Sequence, residues 1–446
     1  MKKAPPKKER VTCKKCLMPF EERFINKNGE CVICDEYRKK WLNRDYEEKE
    51  KELKQIFEHY RQRNKDHKYD SIVAFSGGKD SVYALYLITR KYGMRPLVVT
   101  ADNGLLTPFA RANMKKVIDQ FGVDHIVVTR DQEELKSIYR AYFKKTKNFC
   151  EICYLTIHSA LGQAALEHDV PLIITGFAFK VDSSHFRAAH RYCFEDSFAK
   201  IVKDSIPAEI YEKYITKQAR ADNQFHLLHL FDYINHVDKE IYHVLENELG
   251  WDSNKREDKH MDCRFHHMLG YLRMINGDLT SLALMTPAAL LRDGQITVEE
   301  FHEQLAKEKD LFKNVDKKQL EEFLDFFGVD EEFLTSNPDC PELAEILVYE
   351  SDIENLIKSE RNKGADNLTL IKLLFDSIRP ELKRDGGDIR IISFNEQLLR
   401  IELLGACRAC TIADQVMMRY LEHLIRTYIS EDIILENVKP LAPFSR

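Results

Sequence analysis

The stretch Tyr69-Asp70-Ser71-Ile72-Val73-Ala74-Phe75-Ser76-Gly77-Gly78-Lys79-Asp80-Ser81 leaves this chain the least freedom. A short β-branched run stops at Ser76-Gly77-Gly78. Val82, Leu85, Tyr86 and Ile88 then recur at helical spacing, which predicts strand, tight loop and helix. Two adjacent glycines let backbone N–H groups turn inward as a nest. The following helix N-terminus adds partial positive charge, and Lys79 adds a full one. A di- or triphosphate is the natural occupant of such a loop. It is not the Walker pattern, because no second glycine precedes Lys-Ser/Thr at the required spacing.

The chain after the loop alternates strand and helix. Strands are predicted over 96–103, 125–129 and 171–176, with helical patterns reaching Phe121 and about Tyr142 between them. That order implies a doubly wound α/β fold with a parallel sheet, right-handed crossovers and ligand at the carboxyl ends of the strands. Asp102 falls at such an end, where it serves either as a nucleotide contact or as a turn cap.

Cysteine usage is the second constraint. Eleven cysteines, eight of them in four Cys-x-x-Cys pairs, point to metal rather than disulfides in a reducing cytoplasm. Cys13 and Cys16 are separated by fourteen residues from Cys31 and Cys34, with Asn28-Gly29 as a turn between them. Four thiolates at this spacing can close a tetrahedron around zinc, with a rubredoxin-like iron or a labile cluster as the other options. Cys150 and Cys153 open a helix, where thiolates are favoured. A lone pair cannot complete a site, so Cys193 and Cys263 are the candidate third ligands. The latter stands in Lys259-His260-Met261-Asp262-Cys263-Arg264-Phe265-His266-His267.

A net charge of -6 gives no overall nucleic-acid signature, although lysines and arginines crowd residues 2–15. The most hydrophobic window, 281–291, is short and broken by Thr286 and Pro287, so neither a membrane span nor a secretion signal is expected. Five segments follow: a four-cysteine module at 1–45, a helical connector at 46–70, the nucleotide domain at 71–310, a helical linker at 311–365 and a small α+β unit at 366–446. That last unit reads as a helix, Asp385-Gly386-Gly387-Asp388, two alternating strands, Cys407-Arg408-Ala409-Cys410, and a helix with Met417, Leu421 and Leu424 on its apolar face.

Ser76-Gly77-Gly78-Lys79-Asp80-Ser81 resembles the pyrophosphate loop of the PP-loop ATP pyrophosphatases. The resemblance implies ATP contacts over Ala74, Phe75, Ser76, Gly77, Gly78, Lys79, Asp80 and Ser81, with Asp102 and Gly176 nearby. It also implies cleavage between the α and β phosphates, with Lys79 and Asp80 catalytic and Mg2+ assisting. The loop followed by Cys150-Glu151-Ile152-Cys153 is similar to the tRNA thiolases of that superfamily. Those hold a [4Fe-4S] cluster on three cysteines, here Cys150, Cys153 and Cys263, whose sulfur would displace AMP. Gly176-Phe177-Ala178 departs from the Gly-His-Asn of those enzymes.

Cys13-Lys14-Lys15-Cys16-Leu17-Met18-Pro19, the loop, Lys259-His260 and Leu291-Arg292-Asp293-Gly294-Gln295-Ile296-Thr297-Val298-Glu299-Glu300 together resemble the N-acetyl sugar amidotransferases. These use ammonia from a partner glutaminase; Cys263 stands where serine is expected. Thr297-x-x-Glu300 is also a plain capping box. The tail resembles NifU-type scaffold domains, in which Cys407 and Cys410 with their counterparts from a second protomer would hold a [4Fe-4S] cluster; Thr411 replaces the usual proline. Together these resemblances imply a cytoplasmic, ATP-dependent sulfurtransferase, a homodimer through its tail or its core, served by iron-sulfur or sulfur donor proteins. Its acceptor would be tRNA or a sugar. The alternatives are sugar amidation and a non-enzymatic cluster carrier.

Overall fold

The computed structural model describes residues 10–21, 25–181, 205–211, 213, 225–250, 262–275, 282–336, 353–384, 387–395, 397–405 and 417–438. Cys193, Lys259, His260, Cys407, Cys410 and Thr411 lie outside the described residues.

Five parallel strands form the central sheet: β3 (Ser71–Ala74), β4 (Pro96–Asp102), β5 (His125–Thr129), β6 (Leu172–Thr175) and β7 (His226–His229). Their order is β5-β4-β3-β6-β7. The chain builds outward from β3 to β5, then returns to place β6 on the other side of β3. The strand order therefore reverses between β3 and β6, and in open α/β sheets ligands occupy the crevice at such a reversal. All seven residues of β4 are buried, as a strand covered on both faces requires.

Helices cover both faces. On one, α2 (Tyr46–Arg63), α3 (Lys79–Tyr86), α4 (Pro108–Phe121) and the helix Asp238–Leu249 pack Leu53, Phe57, Leu85, Met114, Val117 and Leu245 against Val73, Val98 and Ile174. On the other, α6 (Cys150–His168) packs Leu161, Ala164 and Ala165 against Ile72, Leu97, Val99 and Ile173. Residues 46–70 thus contribute a core layer, because Leu53, Ile56, Phe57 and Tyr60 form one buried stripe.

A second, aromatic core joins α5 (Gln132–Thr146) to the helix Lys317–Phe327, with Phe143 and Phe327 ring centroids 4.2 Å apart. This part of 311–365 is consequently packed onto the nucleotide domain. The capping box is present, with Glu300 N donating to Thr297 Oγ1 at 3.2 Å and Thr297 N to Glu300 Oε2 at 2.7 Å.

At the N-terminus, β1 (Arg10–Thr12) pairs with β2 (Pro19–Glu21), and α1 (Val32–Tyr37) follows. Met18, Phe20 and Ile33 pack this module onto Leu284, Met285, Ala288 and Phe301. At the C-terminus, the helix Asn367–Arg384 precedes an antiparallel hairpin of β8 (Gly387–Asn395) and β9 (Leu398–Gly405). The helix Met418–Tyr428 then leads to β10 (Ile434–Asn437), which pairs parallel with β9. No helix among the described residues is long and apolar enough to cross a membrane.

Candidate active site

The nucleotide loop leaves β3 at the sheet's carboxyl edge. Phe75 stays in register, its N–H donating to Val99 O at 2.9 Å and its carbonyl accepting from Thr100 Oγ1 at 2.7 Å. Gly77 turns the chain at φ +75°, a left-handed conformation that glycine tolerates, and a Cβ there would stand 2.7 Å from Met114 Cγ. Asn113 Nδ2 donates to Gly77 O at 2.6 Å and fixes the turn from α4. Ser81 Oγ donates to Gly78 O at 2.9 Å, and Gly78 N donates to Ser76 Oγ at 3.3 Å, closing the loop upon the first turn of α3. Gly176 ends β6 against this turn: a Cβ would come within 2.6 Å of Asp80 O, so the crevice requires glycine there.

Lys79 and Asp80 sit in a charged cluster that sequence reasoning did not anticipate. Lys79 Nζ lies 2.6 Å from Asp80 Oδ1 and 2.9 Å from Asp238 Oδ1, and His236 Nε2 lies 2.7 Å from Asp80 Oδ1. Burial works against the charge of Lys79, but Asp80 and Asp238 overcome it and raise its pKa. Burial likewise opposes ionisation of Asp80; Lys79 and His236 prevail and hold its carboxyl well below the usual range. One ligand atom each from Asp80, His236 and Asp238 fall within 4.8 Å of one another, and His236 Nδ1 is buried without a hydrogen-bond partner among the described residues. Two carboxylates and an imidazole suit a divalent cation once Lys79 turns to a phosphate. The signal was weak: β7 is four residues long with histidine at both ends, so no alternation announced the strand whose carboxyl edge carries His236 and Asp238.

Asp102 at the end of β4 accepts from Arg111 Nη2 at 3.0 and 3.1 Å and from Gly104 N at 3.2 Å, combining an ion pair with a turn cap. Its neighbour Asn103 reaches the second cysteine group, donating from Nδ2 to Cys153 Sγ at 2.9 Å. Cys263 is brought there by an antiparallel bridge to Leu106, supported by Arg264 N donating to Leu105 O at 2.9 Å. Cys150 and Cys263 pack against an apolar shell that includes Leu105, Phe149, Ile152 and Phe265. Burial, then Cys263 and Cys150, push the Cys153 thiol well above its ordinary range, against the Asn103 donor. Three thiols, an apolar shell and an amide aimed at one sulfur fit an iron-sulfur cluster with one iron left without a cysteine.

The N-terminal cysteines are arranged more tightly. Cys13, Cys16, Cys31 and Cys34 are 0–3% exposed, and their sulfurs all lie within 4.8 Å of one another. The Cys13 and Cys34 sulfurs lie 3.8 Å apart and those of Cys16 and Cys31 3.7 Å apart, and hydrogen bonding among the four holds Cys13 well below the usual thiol range while it pushes Cys34 up. Four such sulfurs are completed by a cation replacing the shared protons, and no ligand position is left open.

Residues 371–436 match the NifU-like domain family. The C-terminal unit is a NifU-like domain. Nitrogen fixation protein NifU 1 of Rhodobacter capsulatus is 38% identical over 52 residues, 12% of this chain and 38% of that protein. An uncharacterised protein of Methanocaldococcus jannaschii is 30% identical over 180 residues, 40% of this chain and 62% of that protein. The chain therefore spans less than two thirds of the length of either relative. Among solved structures, the U34-tRNA thiolase NcsA from Methanococcus maripaludis with its [4Fe-4S] cluster aligns over 73% of this chain and 96% of its own. The identity is 12% and the TM-score 0.30. The NifU-like domain meets the four-cysteine module through two ion pairs, Arg426 with Asp35 and Glu422 with Lys40. Its own cysteine pair, Cys407 and Cys410, lies outside the described residues.

Proposed function

We propose that this chain is an ATP-dependent adenylating sulfurtransferase carrying its own NifU-like cluster scaffold. The observation that supports it is one of placement: the Cys150, Cys153 and Cys263 group sits beyond the carboxyl end of β4, and the nucleotide loop sits beyond the carboxyl end of the adjacent β3. ATP binds with its phosphates over 76–81, and Asp80 and Asp238 would hold Mg2+ beside them. A carbonyl oxygen of the acceptor attacks the α phosphorus, the bond to the bridging oxygen breaks, and pyrophosphate leaves with the negative charge. Lys79 releases Asp238 to meet that charge, aided by the amides of Gly77 and Gly78. His236, 2.7 Å from Asp80, orients that carboxylate.

A [4Fe-4S] cluster on Cys150, Cys153 and Cys263 would, when bound, supply sulfur from its open iron. Asn103 orients Cys153, and the surrounding phenylalanines and leucines keep water from the adenylate. Zinc in the four-cysteine module would be structural, tying α1 to the helix Leu282–Asp293. The NifU-like domain delivers or renews the cluster, with Cys407 and Cys410 needing two more ligands from a second protomer or an acceptor site.

The test is product analysis with acceptor RNA. Wild type releases AMP and pyrophosphate and thiolates the acceptor. Cys263→Ser retains ATP binding and loses thiolation. Thiolation that survived Cys263→Ser would remove the cluster from the reaction, an amidated acceptor in place of a thiolated one would leave the amidation reading, and release of ADP with phosphate would leave a cluster carrier.

A further inference from the structure

The helix Leu282–Asp293 ends in two opposite charges with different surroundings. Asp293 is saturated, accepting from the Tyr37 hydroxyl, from Lys180 Nζ at 2.9 Å and from Gln295 Nε2 at 2.6 Å. Arg292 is 3% exposed, and its Nε and Nη1 find no acceptor among the described residues. The Tyr37 ring, 5.6 Å from its Cζ, and the helix C-terminus favour the charge but accept nothing in the guanidinium plane. The Tyr46 hydroxyl is a second buried group without a partner, and Lys180 lies 5.9 Å from its ring centroid. Lys180 and Arg292 against Asp293 leave one positive charge in excess, with Arg44 and Asp232 nearby offsetting each other.

A guanidinium held from water without an acceptor is unfavourable until a ligand brings one. The position of these donors says what kind of ligand. Gln295 Nε2 donates to Asp293 and to His236 O at 3.0 Å, while its Oε1 accepts from Asp238 N at 2.7 Å. Asp238 in turn holds Lys79. Gln295 therefore links Asp293, the residue next to Arg292, to the nucleotide cluster.

We propose that Arg292 binds an anionic group of the acceptor, a carboxylate or a phosphate, and so presents that acceptor to the nucleotide. The assignment rests on the adenylating reading above, and it narrows the acceptor to molecules bearing such a group within reach of the carbonyl that is activated. A single excess charge matches either anion as a monoanion.

The experiment titrates the full chain with sodium acetate and, separately, with inorganic phosphate at constant ionic strength, following thermal midpoint and intrinsic fluorescence. The assignment expects saturable binding of at least one of them that persists in Lys79→Met and weakens at least tenfold in Arg292→Met; whichever anion binds names the source. It also expects ligand-free Arg292→Met to melt at or above wild type, since an unpaired buried charge is gone. Four results overturn it: neither anion binds wild type, binding survives Arg292→Met, binding is lost in Lys79→Met alone, or Arg292→Met melts lower or fails to fold, which would make the guanidinium structural. Pyrophosphate release from ATP, measured separately, reports on the adenylating reading. Its absence would end that reading while leaving the anion site standing.

Discussion

The two cysteine groups of this chain use the same residue in opposite ways. At the N-terminus four sulfurs converge within 4.8 Å, buried in a small module, and leave no room for a further ligand. In the core, Cys150 and Cys263 are only half-buried, Cys153 takes an amide from Asn103, and the trio lies at the sheet edge that also carries the nucleotide loop. A single ion needs its ligands as close as the first group holds them, whereas a cubane, with irons at separate corners, accepts the wider spread of the second. On the reading proposed above, closure, more than cysteine count, separates the structural metal from the reactive one.

That contrast predicts a graded response. Cys31→Ser should have the largest effect, releasing the module's metal and costing more than about 4 kcal/mol, because binding energy at a structural site is folding energy. Calorimetry with zinc analysis checks it; a variant that melts like wild type would make the first group as dispensable as the second. Lys79→Met should lower pyrophosphate release about 10²–10³-fold, the range for loss of one preorganised charge-stabilising donor, with iron content unchanged. Gly176→Ala, by pressing a Cβ to 2.6 Å from Asp80 O, should cost about 1–3 kcal/mol and raise KM for ATP, read by denaturant melts and initial rates.

Cys263→Ser should lose core iron with a far smaller loss of stability than Cys31→Ser, since the surrounding domain is held by its own sheet and aromatic cores. A collapse like that of Cys31→Ser would erase the distinction. The smallest effect is on pH dependence. The depressed Asp80 contributes stability above its unfolded pKa of about 4, lost as pH falls through the folded value. The raised Lys79 contributes below its unfolded pKa of about 10.4, lost as pH rises through the folded value. Stability from this cluster is therefore level between those limits, and Asp80→Asn should flatten the acid limb in melts taken from pH 2 to 7.

What could be read in advance was local. The strand, loop and helix around Ser76-Gly77-Gly78-Lys79 announce themselves through periodicity and glycine placement, and the NifU-like tail through a helix, two alternating strands and a Cys-x-x-Cys pair. Groups joined only by tertiary structure were not legible. His236 and Asp238 reach Lys79 and Asp80 from a segment more than 150 residues away, following a strand too short to show alternation. Asp102 read equally as a nucleotide contact or a cap; its partner Arg111 lies on the far side of a turn, and only the folded chain aligns the two. Arg292 and Asp293 were visible as part of a motif, but nothing in their order says that one carboxylate would be saturated and its neighbour left without an acceptor.

The most direct test of the account is metal analysis of the full chain with Cys407→Ser and Cys410→Ser, purified without oxygen. The tail pair is then removed as an iron source and everything else is left in place. A core cluster predicts about four irons and four acid-labile sulfides per chain, with zinc near one. Zinc near one with no iron would contradict it and leave Cys150, Cys153 and Cys263 without the role assigned to them.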